Sequence, residues 1–175
     1  HFPVDGDDHV VYLLDFSFKR PEMIDLIARA SRVVVIDHHK TAEQELAGLE
    51  ADNLKVVFSL EHSGAILTWE YFAQAGNPPG FLLDIEDRDL WKWERKHSKD
   101  ITAALHMHYL DKWYEWGRFV FPNDWRALVS EGKQIQRIND KVVRNNAESF
   151  APVKMDGYTI PCRNLTGLIS ETLNY

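Results

Sequence analysis

The stretch Val33-Val34-Val35-Ile36-Asp37-His38-His39-Lys40 constrains the fold of this 175-residue chain more than any other. Four consecutive β-branched residues describe a strand buried on both faces, the kind found inside parallel sheets. The run stops abruptly in a carboxylate and two imidazoles. In open α/β sheets, ligands gather in the crevice beyond the carboxyl ends of the strands. Three metal-competent side chains therefore stand where chemistry is usual. The competing structural reading is that Asp37 caps the next helix and the two histidines are exposed loop residues. A lone histidine would favour that reading; three such groups in a row favour a functional site.

The flanking sequence supplies the rest of a βαβ unit. Val10-Val11-Tyr12-Leu13-Leu14 reads as a second buried strand, and it too ends in an acid, Asp15. Pro21 suits the first turn of a helix over 21–30, whose apolar residues Met23, Ile24, Ile27 and Ala28 have helical spacing. Strand, helix and strand in about thirty residues imply parallel strands with a right-handed crossover. Parallel neighbours bring Asp15 and Asp37-His38-His39 to one edge of the sheet, although more than twenty positions separate them.

Thr41 reads as the cap of a following helix, and 54–59 as a third strand. Glu61-His62-Ser63-Gly64-Ala65 opens a helix running to Ala75. The Ser63-Gly64 pair could present free N–H groups to a phosphate, against the simpler reading of N-capping by Ser63. Residues 81–93 carry Asp84, Glu86, Asp87 and Asp89, either a solvated helix face or, since such acids repel one another, a cation site. Residues 99–149 are helical and aromatic, with one long amphipathic helix over 123–147. A β-hairpin about Asp156-Gly157 and a short helix containing Asn164 and Thr166 follow. The expected class is α/β: a parallel βαβ sheet with helices on both faces, then a helical segment and the start of a smaller α+β domain. The boundaries fall at 1–121, 122–149 and 150–175.

A net charge of −7 gives no overall basic field, so neither stable binding of duplex nucleic acid nor attraction to an anionic membrane is expected. An acidic protein that handles phosphorylated substrates needs metal ions or a local basic patch. Cys162 is the only cysteine, which rules out an intramolecular disulfide and fits a reducing compartment. There is no apolar stretch near 18 residues and no signal-peptide pattern, so a soluble, cytoplasmic protein is expected.

Taken together, these segments resemble the DHH phosphoesterase superfamily. That group includes single-strand exonucleases, oligoribonucleases, cyclic-dinucleotide phosphodiesterases, exopolyphosphatases and family II inorganic pyrophosphatases. Leu14-Asp15-Phe16-Ser17 resembles its second motif, Asp37-His38-His39 its third, and Glu86-Asp87-Arg88-Asp89-Leu90-Trp91 its fourth in a bacterial and phage subgroup. The region after 150 looks like the entry to the family's C-terminal, DHHA1-type domain. The resemblance implies that Asp15, His38 and Asp87 ligate metal, with Asp15 bridging two ions. It also implies that Asp37 orients an imidazole and that His39 faces the substrate phosphate or leaving group. Lys40, Ser63, Gly64 and Arg88 would lie at the substrate, Lys40 and Arg88 offsetting phosphate charge. The mixed carboxylate and imidazole set suits Mn²⁺, with Mg²⁺ or Co²⁺ as alternatives.

The activity implied is hydrolysis of a phosphodiester or phosphoanhydride by water activated between two metals. The substrate would be a nucleotide, a short oligonucleotide or a polyphosphate; a homodimer is left open. The family's first motif belongs upstream of Asp15, where only 14 residues stand, and the second domain is cut short at Tyr175. The expectation is a fragment that lacks ligands for the first metal, holds one ion weakly and has little activity. The alternative is a non-catalytic α/β binding or assembly module built on the same fold.

Overall fold

The computed structural model describes residues 9–73, 76–108 and 125–162. Among these residues the protein is mixed α/β, with a three-stranded parallel sheet, a two-stranded antiparallel hairpin and six helices. The chain divides into two compact units, 1–98 and 99–175.

The first unit is built on β1 (Val10–Leu14), β2 (Arg32–Asp37) and β3 (Leu54–Phe58), in that spatial order. The β-branched run occupies the centre, and Val33, Val34, Val35 and Ile36 are wholly buried. Burial of each such side chain contributes roughly 1.5–3 kcal/mol. Strand alternation deals them to two cores. Val33 and Val35 join Leu13 and pack with Met23, Leu26 and Ala30 of helix α1 (Arg20–Arg29) and its end, and with Leu46 of α2 (Lys40–Leu46). Val34 and Ile36 pack with Leu67 of α3 (Gly64–Ala73) on the opposite face. Helices therefore cover both faces, as the uninterrupted apolar run requires.

The register of the parallel sheet decides where the polar residues emerge. Leu14 lies beside Ile36, and Asp37 beside Phe58. Asp15 follows β1 directly and donates its N–H to Ile36 O at 2.8 Å, so it sits level with the end of β2. His39, rather than Thr41, occupies the N-cap position of α2, and its side chain makes no capping bond. The imidazole is thereby left for other use. Helix α4 (Gly80–Asp89) packs against α3 and ends at Asp89.

The second unit contains most of α5 (Ser98–Met107), then α6 (Trp125–Glu148) and the hairpin of β4 (Ala151–Met155) and β5 (Tyr158–Cys162). The long helix and the hairpin match the sequence pattern. Asp156 and Gly157 both have positive φ, 48° and 83°, as a two-residue hairpin turn demands. Gly132 of α6 lies so close to the Asp100 carbonyl of α5 that any Cβ there would overlap it. The aromatic residues Trp113, Trp116, Phe119 and Phe121, the boundary expected at 121/122 and the helix expected around Asn164 and Thr166 lie outside the described residues.

Candidate metal centre at the sheet rim

His38 is the central group of the rim. Its side chain is only 9% exposed, and Nε2 stands 3.1 Å from Asp15 Oδ1 and 3.2 Å from Asp89 Oδ2. Neither oxygen is aligned for a hydrogen bond, and among the described residues the nitrogen has no other partner. A buried ring nitrogen this close to two carboxylates would ordinarily turn to bond one of them. Here it bonds neither. The donor atoms of Asp15, His38 and His39 all fall within 4.8 Å of one another.

Asp15 reaches this point through an unusual backbone. Its φ is 59°, the left-handed region that costs energy for any residue with a Cβ and is tolerated best by Asn and Asp. Gly64, at the start of α3, makes room for its side chain: a Cβ at Gly64 would overlap Asp15 Cβ, Cγ and Oδ1. Burial, and then the neighbouring Asp89 carboxylate, push the Asp15 carboxyl above its ordinary pKa, against the pull of His38 and His39. Bringing two acids together against an imidazole costs free energy that a divalent cation would recover.

Asp37 is 1% exposed, and one of its oxygens gathers bonds from both histidines. Its Oδ1 accepts the His38 N–H at 2.7 Å, the His39 N–H at 3.1 Å and the His39 ring at Nδ1, 2.7 Å away. That last bond raises the His39 pKa above its usual value, with burial working the other way. Nδ1 is thereby committed to Asp37, which leaves Nε2 as the other ring nitrogen.

Asp87, expected as a metal ligand, is not brought to this group. Its oxygens accept the Glu94 N–H at 2.8 Å and the Arg95 N–H at 3.2 Å. Burial pushes its pKa up, but the Ser98 hydroxyl, those two N–H groups and the Arg95 charge outweigh it and hold the carboxyl below its ordinary value. Asp87 is thus the anchor of the loop after α4. The acid of the segment that stands beside His38 is Asp89.

Ser63 follows the simpler of its two readings: its N–H donates to Glu86 Oε2 at 3.0 Å and its hydroxyl accepts the Ile66 N–H at 3.3 Å, so the residue caps α3 and its N–H is not offered to a phosphate. Glu86 additionally sits 3.2 Å from His62 Nδ1. Lys40 is exposed at the first position of α2, and Arg88 is half-buried between Asp87 and Asp89. No hydrogen bond or ion pair recorded among the described residues ties either to the cluster. Sequence reasoning counted Asp89 and Glu86 among the acids of a possible cation site but singled out Asp87, though one signal separated them. Phe81, Asp84 and Asp87 recur every three residues, which puts both acids on the same helix face as a buried aromatic.

Beside the cluster lies a cleft of about 440 Å³ lined by Asp15, Phe16, Phe18, Lys19, Asp37, His39 and Glu45, among others. Small-molecule sites commonly have this size. No family sequence profile matches the chain, and no solved structure does. The chain is similar to an uncharacterized protein of Acanthamoeba polyphaga mimivirus, 43% identical over 101 residues. The match covers 58% of this chain and 24% of that relative.

Proposed function

We propose that the chain is a metal-dependent phosphoesterase of the DHH type, or part of one, hydrolysing a phosphodiester or phosphoanhydride in a nucleotide, short oligonucleotide or polyphosphate. One observation carries this reading: His38 Nε2, buried between the Asp15 and Asp89 carboxylates and in hydrogen-bond line with neither. Two oxygens and an imidazole nitrogen suit Mn²⁺, with Mg²⁺ or Co²⁺ as alternatives, and Asp89 takes the ligand place first expected of Asp87. Two parallel strands that end in Asp15 and in Asp37-His38-His39 support the DHH-type domain.

A divalent cation bound there supplies Lewis-acid chemistry, lowering the pKa of water and screening phosphate charge. The chain's own residues do the remainder. Asp37 fixes both histidines through the bonds at its Oδ1. His39, its pKa raised by that contact, holds a proton on Nε2 for a leaving-group oxygen. Gly64 and the left-handed Asp15 set the acid's position. Lys40 and Arg88, at the borders of the rim, offset phosphate charge.

Calorimetric Mn²⁺ titration, with release of nitrophenol from bis(p-nitrophenyl) phosphate, tests the reading. Wild type is expected to bind Mn²⁺ and turn over only in its presence, and His38→Ala and Asp89→Asn to lose both. A wild-type protein that binds Mn²⁺ no better than His38→Ala overturns it. Mn²⁺ binding without turnover by folded protein leaves the non-catalytic binding module.

A further inference from the structure

We infer that the cleft beside the cluster is a base-stacking subsite, with Phe16 as the residue that makes the site prefer a nucleotide ester over a base-free phosphate. The inference rests on the phosphoesterase reading for the chemistry, and on separate observations for the subsite.

Phe16 follows the left-handed Asp15 immediately, so the backbone turn that aims the acid at His38 also delivers the ring to the cleft wall. The ring is held in place. It meets Phe18 edge to face, with centroids 4.6 Å apart at 81°, and Phe18 itself packs against the core of Met23, Leu26 and Val33. Yet Phe16 stays 45% exposed, which leaves a large aromatic surface, fixed in orientation, next to the candidate cation ligands. Exposed aromatic rings of this kind are what bases stack on, because every base offers a π-face.

The cleft carries Asp15, Asp37 and Glu45 against Lys19 and His39. The Glu45 carboxylate is partly engaged by the Arg20 N–H at 3.2 Å. One phosphate can be met at the cation, and a base attached to it fits the cleft beside the Phe16 ring.

The test measures binding, so it does not depend on turnover. With Mn²⁺ present, thymidine 5′-monophosphate and deoxyribose 5-phosphate are titrated calorimetrically into the full chain. Stacking one base is worth about 1–3 kcal/mol, so the nucleotide is expected to bind about tenfold or more tightly. In Phe16→Leu, which keeps an apolar side chain of similar volume but no π-face, the ratio is expected to fall towards one. Phe16→Trp is expected to keep it, and far-UV circular dichroism confirms that both fold. Equal affinities for the two ligands in wild type, or an unchanged ratio in Phe16→Leu, overturn the subsite. A preserved ratio without hydrolysis of any ester sinks the phosphoesterase reading while the subsite stands.

Discussion

Two acidic regions lie close together in the first unit and treat charge in opposite ways. After α4, Asp87 gives its oxygens to two backbone N–H groups, and Asp84 pairs with Arg95 Nε at 2.8 Å. At the sheet rim, Asp15 and Asp89 flank His38 Nε2 with no aligned bond. The carboxyl of Asp87 is held below its ordinary pKa and that of Asp15 above it. A region whose polar groups are satisfied contributes to folding. One whose donors converge without bonding holds back interaction energy for a ligand, which is how sites differ from scaffold.

The largest expected effect is on the scaffold side. Asp87→Ala leaves two backbone N–H groups without their acceptor in a buried place. Losses of this kind cost about 3 kcal/mol. Urea denaturation measures it, and a loss under about 1 kcal/mol would mean that Asp87 does not anchor the loop. Acid adds a second handle. Because the folded pKa of Asp87 is depressed, its contribution is complete above the unfolded value near 3.9 and disappears as pH falls through the folded value. In Asp87→Asn this part of the acid transition should vanish.

Gly64→Ala comes next and joins the two regions, since it sits on a scaffold helix yet touches a site residue. The new methyl overlaps Asp15 from Cβ to Oδ1, so either the acid or the start of α3 must move. Overpacking of this sort costs about 1–3 kcal/mol, offset by up to about 1 kcal/mol from the better helix propensity of Ala. Mn²⁺ affinity should fall by roughly tenfold or more, in the manner of changes just behind a metal ligand. Unaltered affinity would show that Asp15 does not need its present position.

Asp15→Asn sharpens the contrast because its sign is reversed. Asn keeps the shape, tolerates the left-handed backbone and removes the repulsion from Asp89. Half of the Asp15 side chain is exposed, so solvent screens the gain to about 0.5 kcal/mol of added stability without metal. Mn²⁺ binding should be lost. A destabilised Asp15→Asn would mean that the rim is structural after all.

The sheet and the meeting of Asp15 with His38 were legible for one reason. An uninterrupted β-branched strand has few ways to be buried, and parallel pairing then fixes which strand ends coincide. Alternation along Val33–Ile36 even assigns each residue to its core. The fourth-motif acids were not legible to the same degree. Asp87 and Asp89 are two apart on α4 and point different ways, and the choice between them depends on how the helix is rotated. That rotation is set by Phe81 and by Arg95, partners whose roles appear only on folding. The choice between the two readings of Ser63 depended on folding in the same way: Glu86, 23 residues on, takes the N–H that a phosphate would have used.

His39 provides the smallest effect and the finest test of the comparison, because it belongs to both kinds of region at once. Its Nδ1 is satisfied by the buried Asp37, while 53% of its side chain is exposed to the cleft. The contact raises its pKa in the folded state. The stability it contributes is therefore complete below the unfolded value near 6.5 and is lost as pH rises through the raised folded value. Exposure keeps the effect small, so denaturation midpoints should show only a shallow decline across that window, absent in His39→Gln. Proton NMR reads the cause directly: the His39 ring should titrate above an ordinary histidine, and Asp37→Asn should bring it down. If His39 titrates normally in wild type, the Asp37 contact does not hold the ring, and the proton assigned to its Nε2 has no support.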